Sequence, residues 1–92
     1  MEIKVGKNYK ITSDAYEWMT RRKKINKKTN EKTWEILGHY TSFANALEGL
    51  AEYKVRIIPD SDPAKIRAQI EDVYLECQKA VGMFAKLCRE RS

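Results

Sequence analysis

The sequence predicts an α+β fold: a four-stranded antiparallel meander packed on two helices, the C-terminal one long. Three observations carry that expectation. Apolar residues alternate with polar ones through the first forty positions, the spacing turns helical after Tyr40, and a single apolar stripe then runs almost to the end. With 92 residues, 42% of them hydrophobic, the chain can build one small core and is too apolar for wholesale disorder.

Ile3 and Val5 alternate with Glu2 and Lys4, as in a half-buried strand. Gly6-Lys7-Asn8 is a turn, and Tyr9-Lys10-Ile11-Thr12 resumes the alternation, so residues 2–12 read as a hairpin. After Ser13-Asp14, the segment Tyr16 to Arg22 reads as a third strand with Tyr16 and Trp18 on one face. A polar reversal over 27–31 leads into a fourth strand from Thr33 to about His39, with Trp34 and Ile36 on its inner face. Such a sheet has one apolar side and one side of mixed charge.

Thr41 or Ser42 is a good N-cap, and Phe43, Ala46, Leu47, Leu50 and Lys54 then recur at helical spacing, to an end near Val55–Ile57. Pro59-Asp60-Ser61-Asp62-Pro63 breaks the pattern. Asp62 as cap with Pro63 at the first helical position is a strong start signal. The expected organisation is residues 1–57 as meander plus first helix, 58–62 as linker, and 63–92 as a long C-terminal helix of the same domain. Gly82 inside that helix costs ~1 kcal/mol against alanine and is no stop.

The last helix has the clearest periodicity. Ile66, Ile70, Val73, Cys77, Ala80, Phe84 and Leu87 alternate steps of four and three, and Tyr74, Val81 and Cys88 widen the stripe by a column. One reading packs it on its own sheet and first helix. The other starts from length: residues 63–89 as a helix span ~40 Å, while four strands side by side cover only ~20 Å. An overhanging part, with Val73, Cys77, Ala80, Phe84 and Leu87, would then seat a second copy in a homodimer.

Charge is concentrated. The net charge is +5, and residues 21–32 alone hold seven basic residues (Arg21, Arg22, Lys23, Lys24, Lys27, Lys28 and Lys32) against Glu31, a net of +6 that leaves −1 for all other positions. Three readings fit a basic turn. It keeps the protein soluble, it neutralises the phosphates of a nucleic acid as a two-stranded ribbon, or it steers toward an acidic protein surface. Trp18 and Trp34 flank it on their strands and serve either as core anchors or as platforms for unpaired bases. Met19 and Leu37 fall on the opposite, outer face and are candidates for a protein contact.

Catalytic and metal chemistry find little footing. The acids are scattered over outward positions, and His39 could act as a base only if Ser42 or a carboxylate reached it. An enzyme is not expected, nor a cofactor. Cys77 and Cys88 lie roughly 16 Å apart along one helix, too far to bridge, and read as buried, inert thiols of a reducing compartment. No third ligand joins them to His39. No apolar run approaches the ~20 residues of a membrane span, and Met1-Glu2-Ile3-Lys4-Val5 carries no signal-like apolar block.

The opening Met1-Glu2-Ile3-Lys4-Val5-Gly6-Lys7-Asn8-Tyr9-Lys10-Ile11-Thr12-Ser13-Asp14, the basic turn, Gly38-His39-Tyr40-Thr41-Ser42 leading into Ala46-Leu47, and Tyr53-Lys54-Val55-Arg56 together resemble small uncharacterised phage and prophage proteins of Gram-positive bacteria. The likeness spans roughly the first sixty residues. It implies a viral protein of the bacterial host cytoplasm without an established activity, among genes that often supply DNA-handling accessories or inhibitors of host defence, anti-CRISPR proteins included. The junction from Gly38-His39-Tyr40 into Thr41-Ser42-Phe43-Ala44-Asn45-Ala46 also looks like that of the arm-type DNA-binding domains of phage integrases. That second likeness would turn Lys10, Glu17, Met19, Arg21, Lys23, Glu35 and Leu37 toward DNA. The function expected from all this is non-enzymatic binding of nucleic acid through the basic hairpin turn, or else of a bacterial host protein.

Overall fold

The computed structural model describes residues 1–59 and 61–91; the expected linker position Asp60 and the expected helix end at Ser92 lie outside them. Four strands, β1 (Glu2–Lys4), β2 (Tyr9–Ser13), β3 (Trp18–Ile25) and β4 (Lys32–Tyr40), form an antiparallel sheet in the order β1-β2-β3-β4. Two helices follow, α1 (Phe43–Arg56) and α2 (Pro63–Arg91), and both pack on the same side of the sheet. This is the α+β meander with a long final helix that the sequence predicts.

Local chemistry sets the element ends. Gly6 turns β1 into β2 at φ +74°, a left-handed conformation open to glycine, and the Val5 N–H donates to the Tyr9 carbonyl across the turn at 2.9 Å. Between β2 and β3 the Asp14 carboxylate accepts from the N–H groups of Tyr16 and Glu17, both at 2.8 Å. That turn takes Tyr16 out of the expected third strand and leaves it 94% exposed, not beside Trp18. Ser42, not Thr41, caps α1, its hydroxyl accepting from the Asn45 N–H at 3.1 Å. Asp62 starts α2 as expected, accepting from the Ala64 N–H with its side chain and from the Ile66 N–H with its carbonyl, both at 3.0 Å. The helix passes through Gly82 without a break.

The core lies between the sheet and the two helices. Ile3, Val5 and Ile11 meet Phe43, Ala46 and Leu50 of α1 and Ala80 of α2. An aromatic cluster closes one end: Phe43 stacks on Phe84 with centroids 4.1 Å apart, and Trp18 meets both rings edge-on at 5.6 and 5.7 Å. The stripe of α2 is therefore occupied within the chain. Val73 and Ala80 are buried, Phe84 and Leu87 pack on the core, and Cys77 is half-buried. The residues expected to seat a second copy, Val73, Cys77, Ala80, Phe84 and Leu87, thus lie on the side of α2 that faces its own chain, where α1 and β1 pack against it. Tyr74 and Val81, expected to widen the stripe, face outward with Cys88 instead. Cys88 is thus an exposed thiol, not a buried one, whereas burial raises the pKa of Cys77.

Among the described residues, no helix is long and apolar enough to cross a membrane.

Candidate functional site

One irregularity decides what the open face of the sheet carries. Thr20 pairs with Gly38, but the next residue, Arg21, pairs with Ile36, so Leu37 is an extra residue in β4. A bulge of this kind reverses the alternation beyond it. Leu37 packs on the core, and Glu35 follows it to the helix side as the register partner of Arg22. Trp34 and Ile36 pass to the open side, where Ile36 is 44% exposed. Three expectations are corrected together: Trp34 and Ile36 are not core, Leu37 does not share a face with Met19, and Glu35 and Leu37 do not line an outer surface. Trp18, before the bulge, is in the core cluster as one reading had it.

The open face is ordered in rows across the strands. Lys4, Lys10 and Arg21 stand directly opposite one another on β1, β2 and β3, in line with Ile36 of β4. Like charges directly opposite destabilise a sheet. A single acid offsets them here: Glu2 pairs with Lys10 at 2.5 Å, and that hydrogen bond holds its carboxyl below the ordinary carboxylate range. Arg21 leans on neutral groups, donating to Thr12 Oγ1 at 2.9 Å and reaching Met19 Sδ at 3.6 Å. The next row toward the hairpin tip pairs Lys23 with Trp34. Trp34 lies under both lysines, its ring centroid 4.2 Å from Lys10 Nζ and 5.7 Å from Lys23 Nζ.

Past the end of β2, the β3–β4 ribbon continues alone through Lys24–Thr33 and Ile25–Lys32. Its loop is held by its own residues. The Asn26 carboxamide accepts from the Lys28 N–H at 3.0 Å, the Asn26 carbonyl from the Asn30 N–H at 2.8 Å, and Asn30 takes the left-handed conformation at φ 57°. Lys27 and Lys28 stand exposed on this loop.

The seven basic residues of 21–32 accordingly divide. By register, Arg21, Lys23 and Lys32 share the open face, Lys24 lies on the reverse of the ribbon, and Lys27 and Lys28 occupy the tip. Arg22 is committed inward: its guanidinium donates to Glu35 Oε2 and to the Tyr53 hydroxyl of α1, both at 2.9 Å. The bond to Glu35 raises the pKa of Arg22 and lowers that of Glu35. Arg22 therefore ties the ribbon to the helix layer.

His39 does meet a carboxylate, Glu17 Oε1 at 2.9 Å, but the pair is exposed at the far end of the open face, and Ser42 is engaged as a helix cap. Among the described residues no group of histidine, cysteine and acid side chains could hold a metal ion.

The chain is similar to small phage proteins. It is 21% identical over 89 residues to an uncharacterised 10.2 kDa protein in the GpA 5′ region of Escherichia phage P2, covering 94% of this chain and 98% of that one. It is 24% identical over 83 residues to an uncharacterised 10.4 kDa protein in the GpA 5′ region of Escherichia phage 186, covering 87% and 91%. No family model matches the chain, and no solved structure does. The phage resemblance thus extends along nearly the whole length, α2 included. It points to phages of a Gram-negative host in place of the Gram-positive ones expected, and no integrase domain is among the matches.

Sequence reasoning missed Lys4 on the open face, turned Lys10 outward only through the integrase likeness, and set Trp34 and Ile36 on the inner face. Lys4 and Lys10 were legible, being out of phase with Ile3, Val5 and Ile11. Trp34 and Ile36 were hidden by the bulge. The only signal for it is the adjacent apolar pair Ile36-Leu37 ahead of Gly38, which cannot both face one side of a regular strand.

Proposed function

We propose that this is a non-enzymatic phage accessory protein that binds nucleic acid through the open face of its sheet and the projecting basic ribbon. The observation that carries the reading is the row Lys4–Lys10–Arg21 with Lys23 and Trp34 beside it. Three cations aligned against their own repulsion, with one acid to balance them, cost the fold stability, and a polyanion lying across the strands offsets that cost. Trp34 offers a ring edge or face to bases and, through Lys10 and Lys23, keeps ammonium groups within reach of the adjoining phosphates. Lys27, Lys28 and Lys32 extend the same positive surface to the tip. The expected grip is led by phosphate contacts and is weakly selective for sequence.

The experiment is a titration of labelled single-stranded and duplex oligonucleotides across a salt series. The logarithm of affinity should fall linearly with the logarithm of salt, and Lys10→Gln, Lys23→Gln and Lys28→Gln should each reduce the slope by ~0.7–0.9. Arg22→Gln should leave the slope unchanged and lower stability instead.

A second reading takes its support from Ile36 and Met19, apolar groups that share this face with Trp34. On that reading the phage protein blocks a bacterial defence protein, as anti-CRISPR proteins do, with Trp34 and Ile36 as the buried anchors of the contact. Recovery of host partners from lysate with and without nuclease separates the two. A partner that survives nuclease and high salt and is lost in Ile36→Asp favours the inhibitor.

A further inference from the structure

A second basic site lies around the edge of the sheet, outside residues 21–32. The β1–β2 turn, the C-terminal half of α1 and the middle of α2 enclose a pocket of about 460 Å³. Lys7, Lys54 and Lys79 line it with Glu76, so three cations meet one anion and two positive charges remain, while Lys4 borders it from β1. Glu76 is already engaged by Lys54, whose side chain is only 12% exposed and lies 4.8 Å from the Tyr9 ring centroid. Among the described residues no carboxylate forms an ion pair with Lys7 or Lys79. Gly6 keeps the floor open: a Cβ there would stand 2.9 Å from the Glu76 carboxylate. Tyr9 also lines the pocket, and burial raises its pKa, so its phenol stays a hydrogen-bond donor.

We infer that this pocket binds a phosphate monoester, and that its source is the phosphorylated end of a nucleic-acid strand. A monoester carries about −1.5 to −2 charges at neutral pH against −1 for an internal phosphodiester, which suits an excess of two positive charges set by the β1–β2 turn, α1 and α2. Place argues for the source. Asn8, on the pocket rim, accepts at its carbonyl from the Lys23 N–H at 2.7 Å, and Lys4 borders the pocket and belongs to the Lys4–Lys10–Arg21 row. A strand crossing the open face thus reaches the pocket without leaving positive surface. The source rests on the nucleic-acid reading above, whereas the phosphate site does not.

The test compares a short single-stranded oligonucleotide bearing a 5′-phosphate, a 3′-phosphate or neither, together with adenosine monophosphate, by anisotropy and by amide shifts in NMR spectra. One end phosphate should tighten binding about tenfold, the amides of Gly6–Tyr9 and Lys79 should shift, and Lys7→Gln/Lys79→Gln should abolish the preference while keeping the melting temperature. Equal binding of all three strands overturns the pocket and leaves the nucleic-acid reading standing. Shifts at the pocket with the mononucleotide, and no binding of any strand, keep the phosphate site and overturn the strand as its source. No response to any probe overturns both.

Discussion

Lys10 Nζ lies 4.2 Å from the centroid of the Trp34 ring, on the sheet face turned away from both helices. The contact exists because Leu37 is an extra residue in β4. In a regular β4, Gly38 opposite Thr20 would place Ile36 and Trp34 on the helix side and leave Lys10 facing Glu35 and Leu37. One inserted residue thus trades a carboxylate and a leucine for a tryptophan on a surface rich in lysine.

The bulge is open to a direct check with paired substitutions. Leu37→Asp places a charge against the core and should cost about 2–3 kcal/mol in urea unfolding, while Ile36→Asp should stay within ~0.5 kcal/mol. The reverse order would mean that β4 runs without the insertion.

The two tryptophans should separate in the same way. Trp18 packs edge-on against the stacked pair Phe43 and Phe84, so Trp18→Ala should cost about 3–5 kcal/mol and bring the domain close to unfolding. Trp34→Ala removes an open-face ring and its two cation contacts, about 1 kcal/mol in stability, and most of the affinity for single strands. Calorimetric melting of both variants, with the oligonucleotide titration on Trp34→Ala, checks this.

Much of this architecture is legible in the sequence because each signal is local. Period-two runs around Ile3–Val5 and Tyr9–Ile11, the Ser42 cap and the Asp62-Pro63 start are fixed by neighbours a few residues away, and the structure keeps all of them. The stripe of α2 is equally plain, but periodicity cannot say what covers it; that depends on Phe43 and Leu50 arriving from α1. Tyr16 was misplaced because the Asp14 turn uses up two residues that alternation assigns to a strand. For the site, the basic residues of the hairpin are obvious and their division is not. Arg22 looks like its neighbours in sequence, and only its bonds to Tyr53 and Glu35 show that it turns to the helix side of the sheet. The pocket of Lys7, Lys54 and Lys79 brings together three elements far apart in the chain, which no spacing rule detects.

Glycine positions offer a stability test with opposite signs. Nothing lies within 4 Å of a Cβ built on Gly82, so Gly82→Ala should gain about 0.5–1 kcal/mol in mid-helix and raise the melting temperature by roughly 2–8 °C. Gly6→Ala must hold φ +74° and press on Glu76, and should lose more than about 1 kcal/mol. Thermal melts of the two variants against the parent decide both.

Acid should destabilise the fold in a defined window. The carboxyl groups of Glu2, Asp14 and Glu35 all have folded pKa values below their ordinary 4.5, 3.8 and 4.5, held there by Lys10, by the N–H groups of Tyr16 and Glu17, and by Arg22. Between folded and unfolded values the unfolded chain binds more protons, so stability rises with pH through that window and is complete above it. The melting temperature should therefore be level from neutral pH to about 5 and fall progressively below ~4.5. Asp14→Asn should lower the plateau and flatten part of the fall. A melting temperature that rises on acidification contradicts the assignment.

The row Lys4–Lys10–Arg21 links stability to function in one measurement. Lys4 and Lys10 are register partners, and Lys10 already holds the Glu2 carboxylate, so Lys4 adds repulsion to the sheet. Replacing it with threonine removes the like charge and improves strand propensity, so Lys4→Thr should raise stability by about 0.5–1 kcal/mol. The same change should weaken oligonucleotide binding and reduce its salt slope by ~0.7–0.9, the signature of one lost phosphate contact. If the variant is more stable and binds nucleic acid as well as the parent, the alignment of cations is incidental to binding. If it is less stable, the lysine stem packs on the strand surface, and the argument from repulsion fails. A gain in one quantity with a loss in the other is what a surface selected for a polyanion requires, because there the repulsion persists only for the sake of the ligand that relieves it.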